Sequence, residues 1–145
     1  AGSSTGKRRI RVANRAFLDT NVLVYRVEGE ARKSAIAESL LALAPCISVQ
    51  NLNEFVSVAM RKLQLDWDEI HVALDHFREA CEILPVTEKV HDRALEIAEW
   101  HKIAMYDALV VASAELAGCD VLYTEDMHDG QRLGGIVIRN PFMEA

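Results

Sequence analysis

Short apolar runs alternate along this chain with longer stretches whose apolar residues recur at helical spacing, and that alternation limits the fold more than any other feature. The first run is Ala16-Phe17-Leu18, followed by an apolar stretch through Val22, Leu23 and Tyr25 that turns helical and breaks at Glu28-Gly29-Glu30. Ile36, Leu40, Leu41 and Ala44 set a helix over 31–44, and Pro45 stops it. Cys46-Ile47-Ser48-Val49 alternates as a strand. Leu52, Phe55, Val56, Met60 and Leu63 form the inward stripe of the next helix, with Glu54, Ser57 and Arg61 on another stripe. A helix over 66–80 follows, with Ile70, Ala73, Leu74 and Phe77 inward, then a strand at Glu82-Ile83-Leu84 and a helix over 87–101. The helix from Tyr106-Asp107 to Leu116 is apolar nearly all round, hence central, and Gly118 caps its end. Strands are expected over 120–124 and at Ile136-Val137-Ile138. Strands alternating with helices imply an α/β fold whose parallel sheet carries helices on both faces.

A chain of 145 residues, half of them hydrophobic, can bury a core as one domain without staples. Residues 1–14 are expected to be a flexible basic segment, and 15–145 a single domain. Cys46, Cys81 and Cys119 are odd in number and widely spaced, and no Cys-x-x-Cys occurs. They read as small buried hydrophobes of a protein in a reducing, cytoplasmic setting. No apolar run is long enough to span a membrane, and the basic start lacks the apolar stretch of a signal peptide. The net charge of −6 is unlike that of a duplex-DNA binder. A nucleic-acid substrate then requires local clusters of cations. Lys7, Arg8, Arg9, Arg11 and Arg15 form the clearest one.

Four acids fall where strands end or helices begin: Asp19 after the first strand, Glu54 in the first turn of the helix after the second, Asp107 at the start of the buried helix, and Asp126 after the 120–124 strand. Ligands of open parallel sheets bind beyond the carboxyl ends of the strands, and three of the four acids converge on that edge. Two like charges ~4 Å apart repel by ~1 kcal/mol in water and ~4 kcal/mol at an intermediate dielectric. A hard divalent ion removes that cost, and carboxylates suit Mg2+ and Mn2+.

Each acid alone has an ordinary structural role. Asp19 and Asp107 are suitable helix caps. Glu54 lies three residues after Asn51, a capping-box spacing. Asp126 suits a turn. Their agreement in position is what points to a site. Thr20, Asn21 and Thr124 are placed to orient carboxylates, and Glu125 and Asp129 are auxiliary ligands at best. Trp67 and Trp100 read as packing anchors. Gly134-Gly135 reads as a tight turn before a strand.

The segments Asp19-Thr20-Asn21-Val22-Leu23-Val24-Tyr25, Asn53-Glu54-Phe55, Tyr106-Asp107-Ala108 and Thr124-Glu125-Asp126 resemble, in order, the four conserved blocks of PIN-domain ribonucleases. The VapC-like toxins of bacterial toxin–antitoxin pairs are the most similar group, and Ile138-Arg139-Asn140-Pro141-Phe142 is similar to their last strand and tail. The resemblance covers 15–142. It implies a Rossmann-like three-layer α/β/α domain with a central parallel sheet. It further implies that Asp19, Glu54, Asp107 and Asp126 bind Mg2+ or Mn2+, with Thr124 as the site hydroxyl and Asn21 as a supporting polar residue. The implied activity is metal-dependent endoribonuclease, leaving a 5′-phosphate and a 3′-hydroxyl. The implied partners are RNA, an antitoxin that covers the cleft, and a second copy of the chain. Arg15, Arg26 and Arg61 are candidate RNA contacts. Two other readings compete. One is a catalytically silent metal-binding module. The other is a phosphoryl-accepting receiver-like domain, which needs an acid adjacent to Asp19 and a late Lys that this chain lacks.

Overall fold

The computed structural model describes residues 15–144, so Lys7, Arg8, Arg9 and Arg11 of the basic segment lie outside the described residues. The elements run β1 (Ala16–Leu18), α1 (Thr20–Glu28), α2 (Ala31–Leu41), β2 (Cys46–Ser48), α3 (Val49–Arg61), α4 (Trp67–Ala80) and β3 (Glu82–Leu84). They continue with α5 (Glu88–His101), α6 (Met105–Leu116), β4 (Val121–Tyr123), β5 (Arg132–Leu133) and β6 (Ile136–Arg139). The sheet order is β3-β2-β1-β4-β6-β5. Every neighbouring pair is parallel except β5 with β6.

Period-two alternation sorts the strands onto two cores. Leu18 and Ile47 face a cluster with α1–α4, where Phe55 and Phe77 meet edge to face. Phe17, Cys46, Leu122, Ile136 and Ile138 face the opposite cluster with α5 and α6. The result is the expected three-layer α/β/α domain. Among the described residues, no helix is long and apolar enough to cross a membrane.

Several local expectations are corrected. Helix α2 ends at Leu41, not at Ala44: Ala42 is its C-cap and Ala44 takes a left-handed conformation, φ 53°, which a right-handed helix cannot include. Val49 belongs to α3, not to β2. Met60 is 48% exposed, and the buried stripe is Leu52, Phe55 and Ala59. Trp67 and Trp100 are 57% and 81% exposed, so neither anchors a core. The two-residue β5 has no counterpart among the expected strands; it makes a hairpin with β6 through Gly134, whose φ is 60°. The three cysteines are buried free thiols, and burial pushes Cys81 and Cys119 up to about 12.

Candidate active site

Strand order reverses between β1 and β4, since β2 and β3 extend one way and β6 the other. Such a reversal leaves a crevice at the carboxyl ends that no connection crosses. Asp19 leaves β1 there, and Thr124 and Asp126 leave the adjacent β4. Asp107 arrives by a different route. Helix α6 precedes β4 and must run antiparallel to it, so the start of α6 lies at the carboxyl edge. Glu54 comes from α3 after β2. It occupies the second helical turn, not the first, and the capping box is formed by Ser48 and Asn51 instead. Asp19, Glu54, Asp107 and Asp126 line one cleft of about 500 Å³.

Neutral donors hold Asp19, Glu54 and Asp126. Asp19 caps α1, with Oδ1 accepting from the Thr20 amide at 2.7 Å. Its Oδ2 accepts from the Thr124 hydroxyl at 2.8 Å. Thr124 is completely buried, and its Oγ1 also accepts from Asn21 Nδ2 at 3.2 Å and from the Asp126 amide at 3.1 Å. Asn21 Nδ2 reaches Asp126 Oδ2 as well, at 3.1 Å. The Thr20 hydroxyl donates to Glu54 Oε1 at 3.0 Å and accepts from Asn51 Nδ2 at 3.1 Å. In the sequence Asn51 shows only the start of a cap. In the fold it joins the Ser48–Asn51 box to Thr20 and so to Glu54.

Asp19 is 7% exposed. Burial pushes its carboxyl up to about 6, aided by the charges of Asp126 and Glu54, although hydrogen bonds from Thr124 and Thr20 pull it down. Burial and then Asp126 also raise Asp107. Mutual repulsion among segments far apart in sequence means that they share one electrostatic environment. Among the described residues, no three His, Cys, Asp or Glu groups are already drawn together as a metal cage. The acids stand around the cleft instead of meeting at one point. Their chemistry nonetheless suits a hard divalent ion, because the donor set is all oxygen and has no ion-paired cation.

The auxiliary acids are engaged elsewhere. Glu125 takes Lys33 Nζ at 2.8 Å and the Tyr25 hydroxyl. Burial raises its carboxyl, but those two partners outweigh burial and hold it below the usual range. Asp129 accepts from the Asn140 amide. Arg15 is not near the cleft: it precedes β1, at the other end of the sheet, and bonds Glu82 and the Ala117 carbonyl. Arg26 pairs with Glu38. Arg61 does stand beside Glu54, in an adjoining hollow. Lys62 lines the main cleft, a cation that no sequence pattern singles out.

The PIN domain profile matches residues 16–128. Solved structures share the fold at low identity. A toxin–antitoxin complex from Klebsiella pneumoniae is 22% identical with a TM-score of 0.66, over 88% of this chain and 98% of that one. DNA-bound VapBC from Salmonella typhimurium is 21% identical with a TM-score of 0.67, over 88% and 98%. VapC20 of Mycobacterium tuberculosis, a sarcin-ricin loop cleaving toxin, is 21% identical with a TM-score of 0.61, over 77% and 91%. No curated protein sequence matches the chain.

Proposed function

The chain belongs to the PIN-domain family, and from that premise we propose that it is a divalent-metal-dependent endoribonuclease, the toxin of a toxin–antitoxin pair. The observation that carries the reading is the convergence of Asp19, Glu54, Asp107 and Asp126 on one cleft at the reversal of strand order. The VapC20 neighbour is a sarcin-ricin loop cleaving toxin, and the Klebsiella neighbour is a toxin–antitoxin complex. Both support the assignment by likeness of fold.

In this reading Asp19, Glu54, Asp107 and Asp126 would hold Mg2+ or Mn2+, which would supply Lewis acidity and countercharge to the reacting phosphate. The protein's share is positioning. Thr124 fixes the Asp19 carboxylate through Oδ2. Asn21 ties Asp126 to the same hydroxyl. Thr20, itself held by Asn51, aims Glu54. Water attacks phosphorus in line, the bond to the 3′-oxygen breaks, and the products carry a 5′-phosphate and a 3′-hydroxyl.

The test is cleavage of structured RNA by purified protein. Cleavage should vanish in EDTA, return with Mg2+ or Mn2+, and be nearly abolished in Asp19→Asn and Asp107→Asn proteins that remain folded. Undiminished cleavage by folded Asp19→Asn protein would overturn the site. Absence of cleavage under every metal condition would favour a silent binding module. An antitoxin that covers the acidic cleft and a homodimer belong to the same proposal. Light scattering checks the dimer, and co-expression with the neighbouring reading frame checks the antitoxin.

A further inference from the structure

A second hollow of about 330 Å³ adjoins the acidic cleft and shares Glu54, Val58 and Tyr106 with it. Its own walls differ in chemistry. They are Gln50, Asn53, Ser57 and Arg61, all on α3. Two carboxamides, a hydroxyl and a guanidinium thus stand next to a carboxylate-lined cleft. Tyr106 lies in the first turn of α6, one residue before Asp107, and is 56% exposed, so a face of its ring is open to solvent. Its hydroxyl accepts from Gln50 Nε2 at 3.2 Å, which fixes how the ring faces the hollow.

Arg61 is set up in a similar way. Its Nε donates to Ser57 Oγ at 3.2 Å, one helical turn back. Among the described residues it has no carboxylate partner, as is also true of Arg32, Arg132 and Arg139, whereas Arg15, Arg26, Arg78 and Arg93 pair with Glu or Asp; of those unpaired guanidiniums, only Arg61 borders the cleft. A guanidinium left unneutralised at the edge of an acidic cleft is placed for a phosphate. Carboxamides carry both donors and acceptors, which is what a base edge presents in return. An exposed ring offers a face to any base.

We propose that this hollow is a nucleobase subsite: one unpaired base, adjacent to the phosphate held at the acidic cleft, stacks on Tyr106, turns its edge to Asn53 and Gln50, and places a flanking phosphate on Arg61. The inference rests on the ribonuclease reading and specifies the substrate. A base within a duplex has both faces covered and cannot enter, so the cleavable nucleotide lies in a single strand, a loop or a bulge.

The experiment uses short single-stranded RNAs with 2-aminopurine moved through successive positions, bound to wild-type protein in EDTA and, before cleavage sets in, in Mg2+. One position should lose fluorescence on binding. Tyr106→Phe should keep that quench, and Tyr106→Leu should abolish it and weaken RNA binding about tenfold, the scale of one base stack. In cleavage assays the effect should fall on KM. Replacing that nucleotide by an abasic one should cost wild-type protein as much as the Leu substitution does, with no further weakening when the two are combined. Metal-dependent cleavage with no position-specific quench, or with Tyr106→Leu matching wild type, overturns the subsite and leaves the nuclease standing. A quench without cleavage under any metal condition overturns the nuclease and leaves the base-binding hollow.

Discussion

Asp19→Asn tests the electrostatics of the site separately from its activity. A carboxyl ordinarily near 3.8 that titrates at about 6 in the fold binds its proton more tightly in the folded than in the unfolded chain. Stability of the metal-free protein therefore falls as pH rises from 3.8 to 6. At about 1.4 kcal/mol per pH unit, the penalty is up to about 3 kcal/mol, fully present above about pH 6 and absent below about 3.8. Asparagine never ionises and escapes it. The substitution has its own cost, however. The Asn amide can still accept from the Thr20 N–H, but its NH2 then faces Thr124 Oγ1, which already accepts from Asn21 and from the Asp126 amide. That conflict costs about 1–3 kcal/mol, so the two proteins differ little in absolute stability at neutral pH.

The informative quantity is how their difference changes with pH, because titrating groups not coupled to Asp19 cancel. Urea melts in EDTA from about pH 4.5 to about 7.5 should show Asp19→Asn gaining on wild type by about 2 kcal/mol, the part of the shift that lies above about pH 4.5. In thermal melts this is roughly 7 °C for a domain of this size. Mg2+ should then restore wild type, by about 2.7 kcal/mol at roughly a hundredfold excess over its dissociation constant, and leave the Asn protein almost unchanged. Stability curves that run parallel across that pH range would refute the raised Asp19 carboxyl and the burial that chiefly raises it.

Thr124→Val removes one donor from Asp19 and strands two others, so metal-free stability at neutral pH should drop by about 2 kcal/mol in denaturant melts, while Thr124→Ser recovers most of it. Ala44→Gly should stabilise by about 0.5–1 kcal/mol in the same assay, since Ala44 sits at φ 53° where the Cβ is strained and glycine is not. Arg61→Glu should weaken single-stranded RNA binding and flatten the plot of log affinity against log salt by about 0.7 for each phosphate that is no longer neutralised. Arg15→Glu, at the far end of the sheet, should leave that slope alone.

What the sequence disclosed depended on how local the physics was. Asp19, Thr124 and Asp126 follow strands directly, so the rule for parallel sheets reaches them without coordinates. Asp107 needed the direction of α6, which follows from its connection to β4. Helix interiors with a clear stripe were legible, as in Ile70, Ala73, Leu74 and Phe77. Met60 was misplaced because Ala59 beside it is small enough to lie against the core, so the stripe runs one residue earlier. The two residues of β5 are too few to show a period. Pairing between segments distant in sequence left no local trace. Asn51 to Thr20, Lys33 to Glu125 and Arg15 to Glu82 are each 31 or more residues apart, and only the fold shows that Arg15 faces away from the site.

Those long-range pairings divide the polar side chains by charge. Lys33, Arg15, Arg26 and Arg93 neutralise Glu125, Glu82, Glu38 and Glu115, none of which lines the cleft. Among the described residues Asp19, Glu54, Asp107 and Asp126 make no ion pair, and the hydrogen-bond partners of Asp19, Glu54 and Asp126 are hydroxyls, amides and a carboxamide. A lysine at that position would orient a carboxylate equally well, but it would also cancel the charge that attracts a divalent ion and add a cation for that ion to displace. Neutral donors orient without neutralising. Burial above all, and then repulsion between the acids, raise the Asp19 and Asp107 carboxyls, and the repulsion is a cost that a bound cation removes. Glu125 fits the same logic in reverse. It is adjacent in sequence to Asp126, and its bond to Lys33 keeps its own negative charge out of the cleft, while its backbone N–H, donated to Asn21 Oδ1 at 3.3 Å, steadies the loop that presents Asp126.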